Sequence, residues 1–234
     1  MNKWVILAGV ICLIIAISQA QTDYAALLRV DNAGVQILRA NTQEWIPLPV
    51  GAEAPFGVGD TIRTDFFGRA WITFLDGATV FVLPTTDLSL SQFEADGEGI
   101  AKVSMSQQGR VIYEVTNPDL FTEFRVVSPH LHVISPAEHF AVQVTESASS
   151  VVVASGEAVV TDETENTRTQ VRVGESVGVR GIDDNLSAPI RLDYPTTFSQ
   201  LDGKLEGCVG VVQAQNRPNL NVRVGPNENY DVIG

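Results

Sequence analysis

Cysteine is nearly absent. Cys12 and Cys208 are the only two in 234 residues, and Cys12 sits inside an apolar N-terminal run. If that run is removed, Cys208 stands alone, no intramolecular disulfide forms, and stability has to come from burial. Positive charge is scarce as well: 15 Lys and Arg face 28 Asp and Glu, for a net charge of −13 and a pI near 4.5. No run of Lys or Arg offers the basic face that displaces counterions from phosphates, which excludes a nucleic-acid partner. Sustained helical stripes are missing too. The 19 Gly and 11 Pro interrupt the chain too often for long helices, and between them lie short apolar runs with a period near two. The class this predicts is all-β.

What is present begins with the N-terminus. Met1-Asn2-Lys3 carries the Lys charge, Trp4 to Ile17 is uncharged and apolar, and Ser18-Gln19-Ala20 places small residues where a signal peptidase reads them. This is the layout of a secretory signal peptide over residues 1–20, cut between Ala20 and Gln21, and the run is short for a bilayer span. The expected location is therefore exported: periplasmic, cell-surface or secreted. The alternative is an uncleaved anchor, which would make this segment the contact with a membrane.

Beyond it, WITFLDGATVFV (71–82) sets Asp76-Gly77 between two apolar runs. With a two-residue turn there, Leu75 faces Ala78, Thr73 faces Val80 and Trp71 faces Val82, while Phe74 faces Thr79, Ile72 faces Phe81 and Ala70 faces Leu83. Both faces are then mostly apolar, so the hairpin is expected to be an interior layer covered on both sides. VVVASGEAVV (151–160) and QVRVGESVGV (170–179) place turns at Ser155-Gly156 and Gly174-Glu175 between Val-rich strands, and TDETENTRT (161–169) and EADGEG (94–99) read as solvated connections. From Gly181 to Gly207 the alternation fails, as in a linker, and a new pattern begins at Cys208.

Candidate chemistry is sparse. His130, His132 and His139 all fall within SPHLHVISPAEHF (128–140). On a strand His130 and His132 share a face and, with Glu138, approach the His-x-His…Glu pattern of metal-binding cupin barrels. The spacing to Glu138 is too long and no later histidine supplies a fourth ligand. Both are therefore expected on the solvent side of a strand whose core side is Leu131 and Val133, and no metal is assigned. Cys208, between Gly207 and Val209, has no basic neighbour in sequence to lower its pKa and reads as a small buried residue. The acid pairs Glu94 and Asp96, Asp162 and Glu163, and Asp183 and Asp184 sit in loops without calcium-loop spacing. Gly57-Val58-Gly59-Asp60 lacks the helix and Lys of a phosphate cradle. Arg63, Arg69 and Arg110 read either as strand-end charges paired with acids such as Asp65 or as ligand-facing groups. No catalytic or cofactor-binding residue is assigned, and no cofactor.

In order and spacing, GDTIRT (59–64), GRAWITFLDGATVFVLPTTDLSL (68–90), QQGRVIYEV (107–115) and FRVVSPHLHV (124–133) resemble the periplasmic domain of the ferric-citrate regulator (FecR) family. That family's pattern runs G-D-x-I-x-T and then R-A-x-I-x-F-x-D-G-x-x-V-x-L, and the likeness covers about Ala26 to Val179. The chain departs from it in carrying Pro136-Ala137-Glu138 where the family has Arg-Gly-Thr. It also has only Met1-Asn2-Lys3 ahead of the apolar run, where family regulators hold a cytoplasmic anti-sigma segment. The resemblance implies an extracytoplasmic domain of a signalling or scaffolding type rather than an enzyme, built as a β-sandwich or solenoid-like stack of antiparallel hairpins over 26–180, with 181–207 as linker. LNVRVGP (220–226) and the following Asn229-Tyr230-Asp231 resemble the first half of a bacterial Src-homology-3 domain, a small barrel that often binds peptidoglycan or its peptides. Residues 208–234 hold too little core for such a barrel to stand alone, so a truncated barrel is expected there.

The function expected from this reading is non-catalytic: an exported sensor, adaptor or scaffold of the cell envelope, with peptidoglycan or envelope proteins as partners and wall or peptide binding by the C-terminal barrel. The alternatives are the targeting portion of a cell-wall hydrolase whose catalytic domain lies beyond residue 234, and a membrane-anchored transmembrane-signalling regulator. N-terminal sequencing of the exported product is expected to read from Gln21; a product that keeps Trp4 to Ile17 identifies the segment as an anchor instead.

Overall fold

Where apolar residues occupy alternate positions, an extended chain buries every second side chain. Strand β1 (Ala26–Asn32) does so with Leu28 and Val30 in the core and Leu27 and Arg29 in solvent. The computed structural model describes residues 24–74, 77–95, 101–164, 166–180 and 185–192. After β1 come β2 (Val35–Leu38), β3 (Trp45–Leu48), β4 (Glu53–Phe56), β5 (Thr61–Thr64), β6 (Arg69–Phe74), β7 (Ala78–Val82), β8 (Asp87–Ala95) and β9 (Ala101–Val115). A 3-10 turn at Pro118–Leu120 leads into β10 (Phe121–Val127), β11 (Leu131–Ser135), β12 (His139–Val144), β13 (Ala148–Ser155), β14 (Glu157–Asp162), β15 (Arg168–Arg172), β16 (Glu175–Arg180) and β17 (Ile190–Arg191). The all-β expectation holds.

Pairing sorts these strands into two layers. The first sheet runs β4-β1-β6-β7-β9-β12-β13-β16-β17. The second runs β3-β2-β5-β8-β9-β10-β11-β14-β15. All these pairs are antiparallel except β9 with β10. One core fills the space between the layers, with Leu28, Ile72, Tyr113, Phe140 and Val151 from the first sheet meeting Ile37, Ile62, Leu88, Met105 and Phe124 from the second.

Strand β9 belongs to both sheets. Its residues up to Gln108 pair in the second, and those from Gly109 onward pair in the first. The chain folds back at Gly109, where φ is +93° and an added Cβ would lie 2.5 Å from the Thr85 carbonyl oxygen and 2.7 Å from Thr86 Cα; a side chain has no room there. The fold-back sets Tyr113 against Gln107. The Tyr113 hydroxyl donates to Gln107 Oε1, and Gln107 Nε2 donates to the Val142 carbonyl at 3.1 Å. Burial pushes the Tyr113 pKa well above its ordinary value, so the hydroxyl stays a donor. Its ring stacks on Phe140 at 4.9 Å and meets Phe124 edge-on at 6.1 Å, one neighbour from each layer.

The expected hairpin forms with a register shifted by one. Phe74 pairs with Ala78, Ile72 with Val80, Trp71 with Phe81 and Ala70 with Val82, which leaves residues 75–77 as the connection. A one-residue slip exchanges the faces, and here it gathers Ala70, Ile72, Phe74, Ala78, Val80 and Val82 on the core side. Gly77 fixes the slip: its N–H donates to Phe74 O at 2.8 Å and its carbonyl accepts from Thr116 N and Asn117 N. A Cβ there would sit 2.7 Å from Leu120 Cδ1. The opposite face is closed by a small cluster of its own, described below, rather than by a further layer.

The Ser155-Gly156 and Gly174-Glu175 turns are where expected but join different partners. Each is a corner from one sheet to the other, because β13 and β16 pair in the first sheet and β14 and β15 in the second. The charged connection after Asp162 is the true hairpin loop, held by Asp162 Oδ1 and Oδ2 accepting from Asn166 N and Thr167 N. Part of the stretch read as a linker runs along β16, with Ser187 N donating to Gly178 O at 2.9 Å and Leu186 buried. The signal segment with Ala20 and Gln21, Cys12, Asp76, Asp96, Asp183, Asp184 and all of 208–234 with Cys208 lie outside the described residues.

Gly109→Ala is expected to cost about 2 kcal/mol or more from left-handed strain and backbone overlap. Tyr113→Phe, which strips Gln107 of its buried donor, is expected to cost about 1–3 kcal/mol. Urea denaturation followed by Trp fluorescence measures both; a loss below a few tenths of a kcal/mol for either rules out the role given to it.

Candidate functional site

The first of the family-like motifs is framework. In Gly59-Asp60-Thr61-Ile62-Arg63-Thr64 the carboxylate of Asp60 is buried and accepts from Arg39 Nη1 at 2.8 Å, Ala40 N at 2.9 Å and Gly57 N at 3.0 Å. Ile62 is in the core. Thr64 donates to Leu83 O at 2.7 Å and accepts from Thr86 N at 3.0 Å, which ties β5 to the corner that receives Gly109. The Gly57 to Asp60 loop is thus filled by its own carboxylate, and a phosphate has no place in it.

Open chemistry lies on the outer face of the second sheet. Register lines up Gln36, Arg63, Asp87 and Gln108 in one row, and Thr61, Ser89, Ser106, Val127 and His132 in the next. Arg63 does not pair with Asp65; it holds Asp87 in a two-pronged contact, Nε to Oδ1 at 2.8 Å and Nη2 to Oδ2 at 2.7 Å, and lies 4.2 Å above the Trp45 ring. The hydrogen bond to Asp87 raises the Arg63 pKa. Because Ser89 and Ser106 are small, a groove of about 480 Å³ opens between the Asp87–Gln108 side and a wall made by Pro129, His132 and Glu163. That volume is within the ~300–1,000 Å³ range of small-ligand clefts. A second hollow, about 520 Å³, is lined by Ser150, Ser176, Gly178 and Ile190 beside β16.

The histidines do not share a face. His130 falls in the turn before β11 and is buried, its Nδ1 2.8 Å from Ser149 Oγ; the turn, closed by Ser128 Oγ donating to Leu131 O at 2.7 Å, rolls it inward. His132 faces outward as expected, with Leu131 and Val133 in the core. Arg125 Nη2 lies 3.3 Å from His132 Nδ1, so that nitrogen is an unprotonated acceptor. Glu138 accepts from Ser155 Oγ at 2.6 Å instead of meeting His132. Among the described residues no group of three or more His, Cys, Asp or Glu side chains gathers as a metal would require.

Sequence reasoning passed over Phe66-Phe67, which are 74% and 70% exposed and touch edge-on at 5.1 Å. Their turn is set by Asp65 Oδ1, which accepts from Phe67 N and Gly68 N. The signal was present: adjacent phenylalanines break the alternation. Arg110 lies half-buried on the first sheet's outer face, and burial lowers its pKa.

No family model matches the chain, and no curated protein matches it in sequence. Among solved structures it is similar to a "putative anti-sigma factor" from Parabacteroides distasonis ATCC 8503, known from two crystal structures. The 2.50 Å structure aligns with a TM-score of 0.51 and 16% identity over 61% of this chain and 64% of that one. The 1.65 Å structure aligns with a TM-score of 0.49 and 16% identity over 61% and 65%. At this identity the likeness is one of fold, and it spans less than two thirds of that protein.

Burial first, and then the Arg125 charge, hold His132 below its ordinary pKa of 6.5, with Glu163 and Asp162 opposing. The unfolded chain therefore binds a proton at this position more readily than the folded one, so the contribution to stability is full above pH 6.5 and is lost as pH falls through the folded pKa. Imidazole NMR is expected to give His132 a midpoint below 6.5 that rises in Arg125→Gln and falls further in Glu163→Gln. A midpoint at or above 6.5 in the unaltered chain contradicts this geometry.

Proposed function

We propose that the chain is a non-catalytic, extracytoplasmic domain of FecR-like type that works as a sensor, adaptor or scaffold at the cell envelope, with wall or peptide binding supplied by its C-terminal stretch. The observation that carries this reading is the use made of the family-like motif. Asp60, Ile62, Thr64, Ala70, Ile72, Phe74 and Val80 are all committed to the core or to buried hydrogen bonds, while the outer face of the second sheet offers an open groove. A rigid frame with loop and face surfaces left for contact is the build of a recognition domain. At the edge of the groove Asp87 is held by Arg63. The rest of the lining offers hydroxyl and amide groups, with His132 and Glu163 on the far wall, donors and acceptors suited to holding a polar ligand.

The fold likeness to an anti-sigma factor supports a signalling role over an enzymatic one. The net charge of −13 favours basic partners or bound cations over polyanions.

Two measurements on the full chain test this reading. A phosphatase that is active only outside the cytoplasm, fused to the C-terminus, is expected to be active; silence overturns the extracytoplasmic placement. The chain is also expected to co-sediment with purified peptidoglycan at low and high salt without releasing soluble fragments. Protein left in the supernatant under both conditions refutes wall binding, and fragment release refutes the non-catalytic reading.

A further inference from the structure

A second surface lies on the outer face of the first sheet. Register lines up Arg29, Trp71, Phe81, Ile112, Ala141 and Val152 across β1, β6, β7, β9, β12 and β13. Phe81, Ile112 and Ala141 are buried even though they belong to a cluster separate from the main core. Trp71, Leu83, Val152 and Ala154 pack over them, half-buried themselves, and the Trp71 and Phe81 rings are 4.3 Å apart. The result is an apolar band on a sheet face that no other layer covers among the described residues.

Arg110 borders this band. It precedes Ile112 by two positions on β9, on the same face, and is paired in register with Gln143 of β12. The guanidinium is half-buried, and among the described residues no carboxylate meets it. This is notable in a chain with 28 acids against 15 bases, where Arg39 and Arg63 are each taken by an aspartate. A partly dehydrated cation without a counter-charge is costly, and a carboxylate that arrives from outside gains a charge-assisted, two-pronged contact there.

We propose that this face docks a protein segment presenting a carboxylate beside apolar side chains, with the carboxylate on Arg110 and Gln143 and the apolar groups on Trp71, Leu83 and Val152. Trp and Arg are the residue types that most often dominate interface energies, and here they flank one band. Inorganic phosphate would use Arg110 and leave the band idle. An anionic membrane is repelled by the chain's net charge of −13. The inference is independent of wall binding by the C-terminal stretch, so either stands if the other fails.

The test is an NMR titration of the isotopically labelled full chain with two capped peptides, Leu-Glu-Leu-Phe and Leu-Gln-Leu-Phe. The Glu peptide is expected to move the Trp71 indole N–H and the Arg110 Nε–H, and to bind at least about tenfold more tightly than the Gln peptide. Arg110→Gln is expected to erase that difference while leaving the spectrum of the free protein folded. Should the variant not fold, the peptide pair on the unaltered chain still decides. Equal affinity for the two peptides overturns the proposal, as do shifts confined to Ser89, Ser106 and His132 on the other sheet. So does co-flotation with phosphatidylglycerol vesicles that quenches Trp71, or a concentration-dependent dimer that protects the band without peptide.

Discussion

The fold-back of β9 is the constraint on which the rest of this molecule depends. Two sheets share that strand, and the shared strand has to reverse its layer within a few residues. Gly109 supplies the backbone angle, and the corner at Thr85 and Thr86 closes so tightly against it that no Cβ fits. The buried Tyr113–Gln107 contact then clasps the two halves of the strand, with Gln107 reaching on to Val142. In a low-dielectric interior a satisfied polar pair of this kind specifies one arrangement, since any slip leaves a donor or acceptor unpaired. Stacking of the same ring on Phe140 and Phe124 couples that specificity to packing in both layers.

Seen from the clasp, the family-like motif has a structural meaning. Asp60 ties the β4–β5 loop to Arg39 and Ala40, Thr64 ties β5 to the corner at Leu83 and Thr86, and the alternating apolar residues of β6 and β7 fill the core. The side chains left open lie on the outer faces, and these differ in kind. The second sheet presents hydroxyls, amides and paired charges around a groove. The first presents an apolar band with Arg110 at its border. One fold thus carries a polar and an apolar outer face back to back.

The class, the positions of most turns, the outward placement of His132 and the core alternation were legible in the sequence because they depend on neighbours along the chain. The hairpin at 71–82 shows where that stops. Asp-Gly signals a turn, yet its length was fixed by Gly77 bonding to Thr116 and Asn117, residues far along the chain. The same limit hid the burial of His130, whose partner Ser149 comes from the other sheet. It also hid the pairing of Arg63 with Asp87 in place of nearby Asp65. Ser155-Gly156 and Gly174-Glu175 looked like hairpin turns because the local chemistry of a hairpin and of a corner between sheets is the same.

Sequence by itself determined the strand-forming periodicity, the glycine punctuation and the set of residues able to form a core. Only the tertiary structure decided which strands pair, which arginine finds an acid and which, among the described residues, is left without one, and which of two apolar faces becomes the interior. The physical reason is range. Backbone preference and side-chain alternation act over a few residues, whereas register, desolvation and charge pairing are set by strands that meet from distant parts of the chain.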